Sequence, residues 1–213
     1  MNQVVLGVIV VNVLVSLKGF NDPSFLDTYK FRVGSIQNGE KIRMFTSGFL
    51  HVDWMHLLFN MYALYIFGDI VANLLGTVGF LFIYIVGLWA GNMYSLLFHK
   101  STPYYSAVGA SGAVSAILYS AILLYPTMTL MLFPLPIPIP AYVFGVGYLL
   151  YSIYGMKQQL GNIGHSAHLG GAIAGFAGTL LLFPSLIFEH FLMVALLALP
   201  IVLLLLFGSK LQK

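Results

Sequence analysis

The sequence predicts an all-α fold, a polytopic bundle of transmembrane helices. Of its 213 residues, 60% are hydrophobic and only 7% are charged, whereas a soluble domain carries about 25% charged residues. The apolar residues form several long runs, separated by glycine, proline or charged residues. Runs of this kind are typical of helices that cross a lipid bilayer. We therefore expect a multi-pass integral membrane protein, and the small net charge of +3 does not indicate a nucleic-acid partner.

The first apolar run predicts a helix over residues 3–17 or slightly beyond. No basic segment precedes it and no small-residue cleavage site follows it, so we expect a retained helix rather than a signal peptide. Residues 18–50 are polar to amphipathic and contain five of the nine cationic side chains. The pairs Asp22-Pro23 and Asn38-Gly39 are turn signals, and the segment is predicted to be a long interfacial loop.

The remaining apolar runs predict the second to seventh helices. A tight glycine turn separates the second helix from the third, and a loop or re-entrant segment over 99–109 precedes a short fourth helix. Five prolines between residues 126 and 140 predict a connector without regular helix. The predicted helices cover residues 54–75, 76–98, 111–125, 141–154, 166–183 and 186–207. We expect a six-helix core over residues 1–185, and an additional transmembrane helix with a short tail over residues 186–213.

The run Gly109-Ala110-Ser111-Gly112 directly precedes the fourth helix, which Pro126 can end. If Ser111 opens this helix, about 15 residues rise roughly 22 Å, while a bilayer core is about 30 Å thick. The hydroxyl of Ser111 would then lie roughly 8 Å inside the membrane. It would also lie beside the unpaired N–H groups and the positive dipole end of a helix N-terminus, a setting that favours an oxyanion.

The second helix carries two polar side chains on one face. His56 and Asn60 are four residues apart, so both project from the same side of the helix, and His51 lies just before the helix begins. Polar groups inside a membrane span are costly and indicate a functional site by default. Histidine and asparagine also join membrane helices through hydrogen bonds, so both interpretations of this pair stay open.

The sixth helix begins with a histidine beside a row of glycines. His168 is followed by Gly171 and Gly175, whose spacing forms a small-residue face that lets a neighbouring backbone approach closely. Close packing alone explains the glycines, and a lone histidine is more often a packing residue. The two features also fit together, because a close approach of the fourth and sixth helices would bring His168 to Ser111.

Together these residues resemble the rhomboid family of intramembrane serine proteases. The matching motifs, in chain order, are Arg43-xx-Thr46, His51-xxxx-His56-xxx-Asn60, Gly109-Ala110-Ser111-Gly112 and Ala167-His168-xx-Gly171-xxx-Gly175. They occur in the family's order, and the resemblance covers roughly residues 1–185. It implies a rhomboid-like six-helix core and a hydrolase, a serine endopeptidase that cleaves proteins inside the membrane.

The resemblance also implies a role for each motif residue. Ser111 would be the nucleophile and His168 the general base and acid of a dyad without a third acidic residue. His56, Asn60 and the backbone N–H of Ser111 would form the oxyanion hole. Supporting, structural roles would fall to Arg43, His51, Gly109, Gly112, Gly171 and Gly175. No metal or cofactor is implied, and the partners would be single-pass transmembrane substrates in the lipid bilayer.

The chain departs from the family pattern one turn after the serine. Many members have a tyrosine there, which stacks on the histidine, whereas this chain has Ser115. The stacking ring must come from elsewhere or be absent, and Tyr119 and Tyr148 are the candidates.

Hydrolysis inside a membrane also requires water beside the nucleophile. We therefore expect a polar cavity that opens to one aqueous face and is lined by the side chains of His56, Asn60, Ser115, His165 and His168. The fifth helix is short, follows the proline-rich connector and contains two glycines. It is therefore the expected lateral gate.

Two other functions are compatible with parts of this pattern. A catalytically inactive relative that binds membrane clients would generally have lost the serine or the histidine, and this chain has both. A small transporter would also place polar groups and broken helices in the membrane, but no inverted repeat is evident. Zinc and aspartyl protease chemistry are excluded, because His-Glu-x-x-His is missing and Asp69 is the only aspartate well inside a predicted span. We expect the protein in a bacterial or archaeal cell membrane.

Overall fold

The helical prediction is confirmed by the computed structural model, which describes residues 1–131, 137–158, 160 and 164–207. Helices make up most of these residues, and the fold is a helical membrane bundle. The longer helices, labelled in chain order together with the short ones between them, are α1 (Gln3–Asn21), α5 (Trp54–Phe98), α6 (Ser111–Leu124), α7 (Ala141–Gln158), α8 (His165–Leu182) and α10 (Phe191–Phe207). The short helices are α2 (Pro23–Tyr29), α3 (Val33–Gln37), α4 (Arg43–Thr46) and α9 (Leu186–Glu189).

Helix α5 contains the predicted second and third helices. Gly76 lies inside it with φ 71° and ψ 176°, a left-handed backbone that glycine adopts at no steric cost. The chain therefore reverses at this one residue, between limbs 54–75 and 77–98. The two limbs lie side by side, since a Cβ on Gly68 would lie 3.3 Å from the ring of Phe80. In the described part of the chain, α1 and α5 are the two helices long and apolar enough to span a membrane by length and hydropathy.

The centre of the bundle is formed by α5, α6 and α8. Of these, α6 is buried along nearly its whole length. Helix α1 packs on α5, where the Asn12 carboxamide donates to the Tyr84 hydroxyl over 3.1 Å. Helix α7 packs against α8 and also against α10, where a Cβ on Gly145 would lie 3.0 Å from Leu197. The core that positions the candidate site is therefore the α5–α6–α8 group, with α7 at its edge.

The segment over residues 18–50 is more ordered than the predicted loop. Asp22-Pro23, predicted as a turn, is a helix start, because the Asp22 carboxylate accepts from the N–H groups of Ser24 and Phe25 and proline occupies the first position of α2. The Asn38-Gly39 turn is present, with φ 104° at Gly39. A single 3₁₀ turn, Ser47–Phe49, leads from α4 towards α5.

Two short antiparallel sheets were not predicted. Strand β1 (Phe31–Arg32) pairs with β2 (Ser106–Ala107) and joins the first interfacial segment to the loop before Ser111. Strand β3 (Thr129–Met131) pairs with β4 (Pro138–Pro140) within the proline-rich connector. Strands of two or three residues are too short to give a recognisable alternation in sequence. The connector contains no helix in its described residues, and residues 132–136 of it lie outside the described chain.

The last helices differ from prediction mainly at their ends. Helix α7 continues to Gln158 rather than Tyr154. The predicted seventh helix is divided into α9 and α10, with His190 between them in a non-helical backbone conformation. The helix α10 that follows the predicted core is thus present, with Pro200 inside it.

Candidate active site

Ser111 is the first residue of α6 and is half-buried. The turn before it depends on Gly109, whose φ of 132° lies in the range that disfavours side chains. The N–H of Gly109 donates to the Ser47 carbonyl over 3.0 Å, which ties this turn to the 3₁₀ turn before α5. With its 14 residues, α6 is about 21 Å long. Helix α6 is therefore about as short as the sequence predicts.

His56 lies directly against the Gly109 turn. The Asp53 side chain caps α5 and accepts from the His56 N–H over 2.7 Å, which fixes this end of the helix. A Cβ on Gly109 would lie 2.6 Å from the His56 ring, so a side chain there would displace the imidazole. The His56 ring therefore lies against Gly109, two residues before Ser111 in the chain.

Asn60 is buried, but its carboxamide is engaged within its own helix. Its Nδ2 donates to the His56 carbonyl over 3.0 Å. In the described residues, no hydrogen bond joins the side chains of Asn60 and Ser111. The structure therefore places Asn60 on the same helix as His56, with its carboxamide bonded to that helix rather than to the serine.

Helices α6 and α8 approach each other at backbone distance. A Cβ on Gly171 would lie 2.0 Å from the Gly112 carbonyl oxygen, and one on Gly175 would lie 2.2 Å from the Ala116 carbonyl oxygen. Only glycine fits at either position. His168 lies one turn before Gly171, and Ser111 directly precedes Gly112, so this contact brings the starts of the two helices together.

His168 is held by an aromatic stack. Its ring is nearly parallel to that of Tyr148, with centroids 5.8 Å apart and an angle of 17° between the planes. In the described part of the chain, no hydrogen bond joins His168 to the Ser111 hydroxyl. Serine–base hydrogen bonds are commonly long without substrate and tighten when it binds. The stacking ring comes from α7, and Tyr119 instead donates to the Gly145 carbonyl.

Ser115 does not line a cavity in this structure. The residue is 1% exposed, and its hydroxyl contacts the Ser111 carbonyl and the Tyr148 hydroxyl, each over 2.7 Å. The expectation that Ser115 faces water is therefore wrong, because this short side chain hydrogen-bonds its own helix one turn back. His165 is also buried, and its ring packs edge-on against Tyr151 and His168.

A chain of hydrogen bonds from Ser16 through His51 to Ala110, the residue before Ser111, was not predicted from the sequence. The Ser16 hydroxyl donates to the Phe49 carbonyl over 3.0 Å, so its oxygen accepts from Nδ1 of His51 over 2.8 Å. Nε2 of His51 then accepts from the Ala110 N–H over 3.5 Å. Burial lowers the pKa of His51 to about 3, which keeps the ring neutral as this chain of bonds requires. The signal that could have identified Ser16 is a polar side chain within an apolar helix.

Arg43 has the contacts that a structural role requires. The residue is 7% exposed, and its guanidinium donates to the Glu40 carboxylate over 2.6 Å and to the carbonyls of Asp27 and Lys30. These bonds hold α2 against α4. A separate cavity of about 280 Å³ lies beside Met1 and Asp69, and none of the predicted site residues lines it.

Curated relatives are similar to most of this chain. The RHOMBOID-like protein 12, mitochondrial, of Arabidopsis thaliana is 32% identical over 190 residues, covering 80% of this chain and 55% of the relative. The Rhomboid protein 1, mitochondrial, of Saccharomyces cerevisiae is 33% identical, covering 63% of this chain and 40% of the relative. The Rhomboid protease GluP of Bacillus subtilis is 34% identical, covering 66% and 26%. The chain thus spans about half or less of these relatives' length.

The names of several relatives conflict with the expected compartment. The Arabidopsis and yeast proteins are described as mitochondrial, which does not support a bacterial or archaeal cell membrane for this chain. The comparisons support an integral membrane protein without identifying the membrane.

The family itself is shown by a model match. The model of the Rhomboid domain matches residues 38–185, well over half of the chain. This stretch runs from the segment before Arg43 to the end of α8, and it includes His51, Ser111 and His168. The chain therefore belongs to the rhomboid family.

Proposed function

We propose that this chain is an intramembrane serine endopeptidase that cleaves the transmembrane helices of membrane-protein substrates. The main support for the proposal is the backbone contact between Gly112 and Gly171, which brings together the helix starts that contain Ser111 and His168. The match to the Rhomboid domain adds to this support. The two helices could not approach this closely if residue 171 carried a side chain, because its Cβ would lie 2.0 Å from the Gly112 carbonyl oxygen.

The proposed reaction uses Ser111 and His168 in two steps. His168 takes the hydroxyl proton while the Ser111 oxygen attacks the scissile carbonyl, and it then returns that proton to the leaving amine as the peptide bond breaks. Water next attacks the acyl group on Ser111 and gives its proton to His168. The ester bond between the acyl group and Ser111 then breaks. The Ser111 oxygen regains a proton from His168, and the carboxylic product leaves.

The developing oxyanion would receive hydrogen bonds from the Ser111 N–H, His56 and Asn60. The position of the His56 ring against the Gly109 turn supports this role. The Ser111 N–H is one of the unpaired donors at the start of α6, where the helix dipole also favours negative charge. Removal of one such donor typically lowers kcat by about 10²- to 10³-fold.

The proposed substrates are single-pass transmembrane proteins in the lipid bilayer. A peptide bond within a stable helix is hydrogen-bonded and shielded, so cleavage favours helices that unwind near one end. A polar cavity would supply water to the acyl-enzyme, and α7, at the edge of the core, would be the lateral gate.

The decisive experiment compares wild type with Ser111→Ala in detergent. Wild type should cleave a generic transmembrane substrate and should be labelled at Ser111 by a fluorophosphonate. The alanine variant should do neither, with a thermal midpoint within a few degrees of wild type, because Ser111 is only half-buried. Full cleavage by the variant would contradict the proposal. A wild type that binds the substrate helix without cleaving or labelling would instead identify a client-binding relative.

A further inference from the structure

Tyr148 belongs to α7, but its ring contacts His168 of the candidate dyad and its hydroxyl contacts Ser115, one turn after Ser111. Its ring is stacked on His168 in a nearly parallel arrangement, which is a favourable geometry for aromatic pairs. Such a stack restricts rotation of the imidazole about its Cβ–Cγ bond. That rotation determines where the ring nitrogens point, so the stack bears directly on whether His168 can reach the Ser111 hydroxyl.

The hydroxyl of Tyr148 is connected to Ser111 through one intermediate residue. The Ser115 hydroxyl has a single proton, and it donates this proton to the Ser111 carbonyl over 2.7 Å. In the 2.7 Å contact between the two hydroxyls, Tyr148 must therefore be the donor and Ser115 the acceptor. The result is a directed chain from the α7 tyrosine to the first peptide unit of α6.

The position of Tyr148 depends on how α7 packs against α6. One turn earlier on the same face, Gly145 accepts a hydrogen bond from the Tyr119 hydroxyl of α6. A Cβ on Gly145 would lie 3.0 Å from both Ile122 of α6 and Leu197 of α10. Glycine at this position therefore sets the distance between α7 and α6, and with it the reach of Tyr148.

On the basis of the proposed protease function, we propose that Tyr148 is a positioning residue that aligns the dyad from α7. The dyad is complete only while α7 is packed against α6, because the stack on His168 and the bond to Ser115 both come from α7. A movement of α7 that admits a substrate helix also releases His168. Chemistry then begins only after α7 has returned, so binding and cleavage are coupled through one side chain.

The first test removes the Tyr148 ring and its hydroxyl separately. Tyr148→Leu should slow both fluorophosphonate labelling of Ser111 and kcat for a transmembrane substrate by about 10²-fold, with KM little changed, since the base is misplaced. Tyr148→Phe keeps the stack and should slow both by about three- to tenfold. Tyr154 lies on the same helix with 56% of its surface exposed, and Tyr154→Leu should leave both rates unchanged.

The second test displaces α7 without touching Ser111, His168 or Tyr148. Gly145→Leu should push α7 away from α6 and slow labelling by the small fluorophosphonate, although that probe needs no lateral opening. Gly147→Leu is the matched control, because nothing lies within 4 Å of a Cβ at Gly147. In a double-mutant cycle, Ser115→Ala combined with Tyr148→Phe should be no slower than the slower single variant.

The outcomes separate this inference from the function on which it rests. Wild type that labels and cleaves, together with unchanged labelling in Tyr148→Leu and Gly145→Leu, would overturn the positioning role and leave the protease intact. Faster substrate cleavage with unchanged labelling in both variants would make α7 a gate alone, which also overturns it. Wild type that neither labels nor cleaves would contradict the proposed function, and the inference with it.

Discussion

Asn60 would have to serve two acceptors in the proposed mechanism. One N–H of its carboxamide donates to the His56 carbonyl, and a carboxamide has a second N–H to donate. That second donor matters only when an oxyanion appears, so it should stabilise the transition state rather than the bound substrate.

Asn60→Ala should therefore lower kcat for a transmembrane substrate by about 10²-fold or more while changing KM less. Steady-state kinetics in detergent measure both constants. An unchanged kcat with a raised KM would assign Asn60 to substrate binding, and a loss of folded protein would assign it to the structure of α5.

His51 predicts a dependence of stability on pH. Burial, with a smaller contribution from nearby His56, lowers its pKa from 6.5 to about 3, while Asp53 opposes the shift. Between these two values the unfolded chain binds a proton at His51 that the folded chain does not. The contribution to stability is therefore complete above about pH 6.5 and decreases as the pH falls through this window, by up to about 1.4 kcal/mol per pH unit.

His51→Gln should make the thermal midpoint less sensitive to pH between about pH 7 and pH 4, because glutamine keeps a donor and an acceptor but does not titrate. Thermal unfolding in detergent at several pH values measures the slope. Parallel slopes for wild type and variant would show that His51 does not contribute to the pH dependence.

At the scale of whole helices, the contact between α6 and α8 has no space for a single methyl group. Gly171→Ala should slow Ser111 labelling strongly and destabilise the bundle by about 1–3 kcal/mol or more, since its Cβ would meet the Gly112 carbonyl at 2.0 Å. Gly7→Ala is a suitable control, because nothing lies within 4 Å of a Cβ at Gly7. Normal labelling and stability in Gly171→Ala would show that the two helices are not held this closely.

Most helices of this fold can be predicted from the sequence, because apolar runs bounded by glycine or proline mark them directly. Gly76 is the best example, since a turn of one glycine was predicted and observed. The β1–β2 pair was not predictable, because its four residues are brought together only by the folding of segments far apart in the chain. Asp22-Pro23 suits a turn and a helix start equally well, and only the capping geometry distinguishes them.

The candidate site can be predicted only in part from the sequence, for a similar reason. Motif spacing placed Ser111, His56 and His168 near the starts of their helices, and the glycines indicated which helices approach. Tyr148 was one of two possible partners for His168, and the choice depends on the rotation of α7 about its axis. Apolar periodicity does not determine that rotation for a helix with lipid on one side.

At the scale of the whole molecule, α10 lies beside the expected gate. Leu197 of α10 contacts α7 at Gly145, and α10 lies outside the matched Rhomboid domain. Truncation after Pro184 should therefore remove a restraint on α7 while leaving the α5–α6–α8 core folded.

We expect the truncated chain to unfold at a lower temperature and to show a changed rate of transmembrane-substrate cleavage, with Ser111 still labelled. Thermal unfolding and the two activity assays on the same preparation test this. Leu197→Ala in the full chain is the milder comparison and should shift the same properties in the same direction. A truncated chain with wild-type stability and cleavage would show that α10 does not restrain α7.

The one-residue link at Gly76 also affects how the protein enters the bilayer during synthesis. No hydrophilic stretch separates limbs 54–75 and 77–98, so nothing can hold the first limb across the membrane while the second is still being made. We expect the two limbs to insert together as a helical hairpin, with Gly68 already against Phe80. The orientation of the second limb then follows from that of the first.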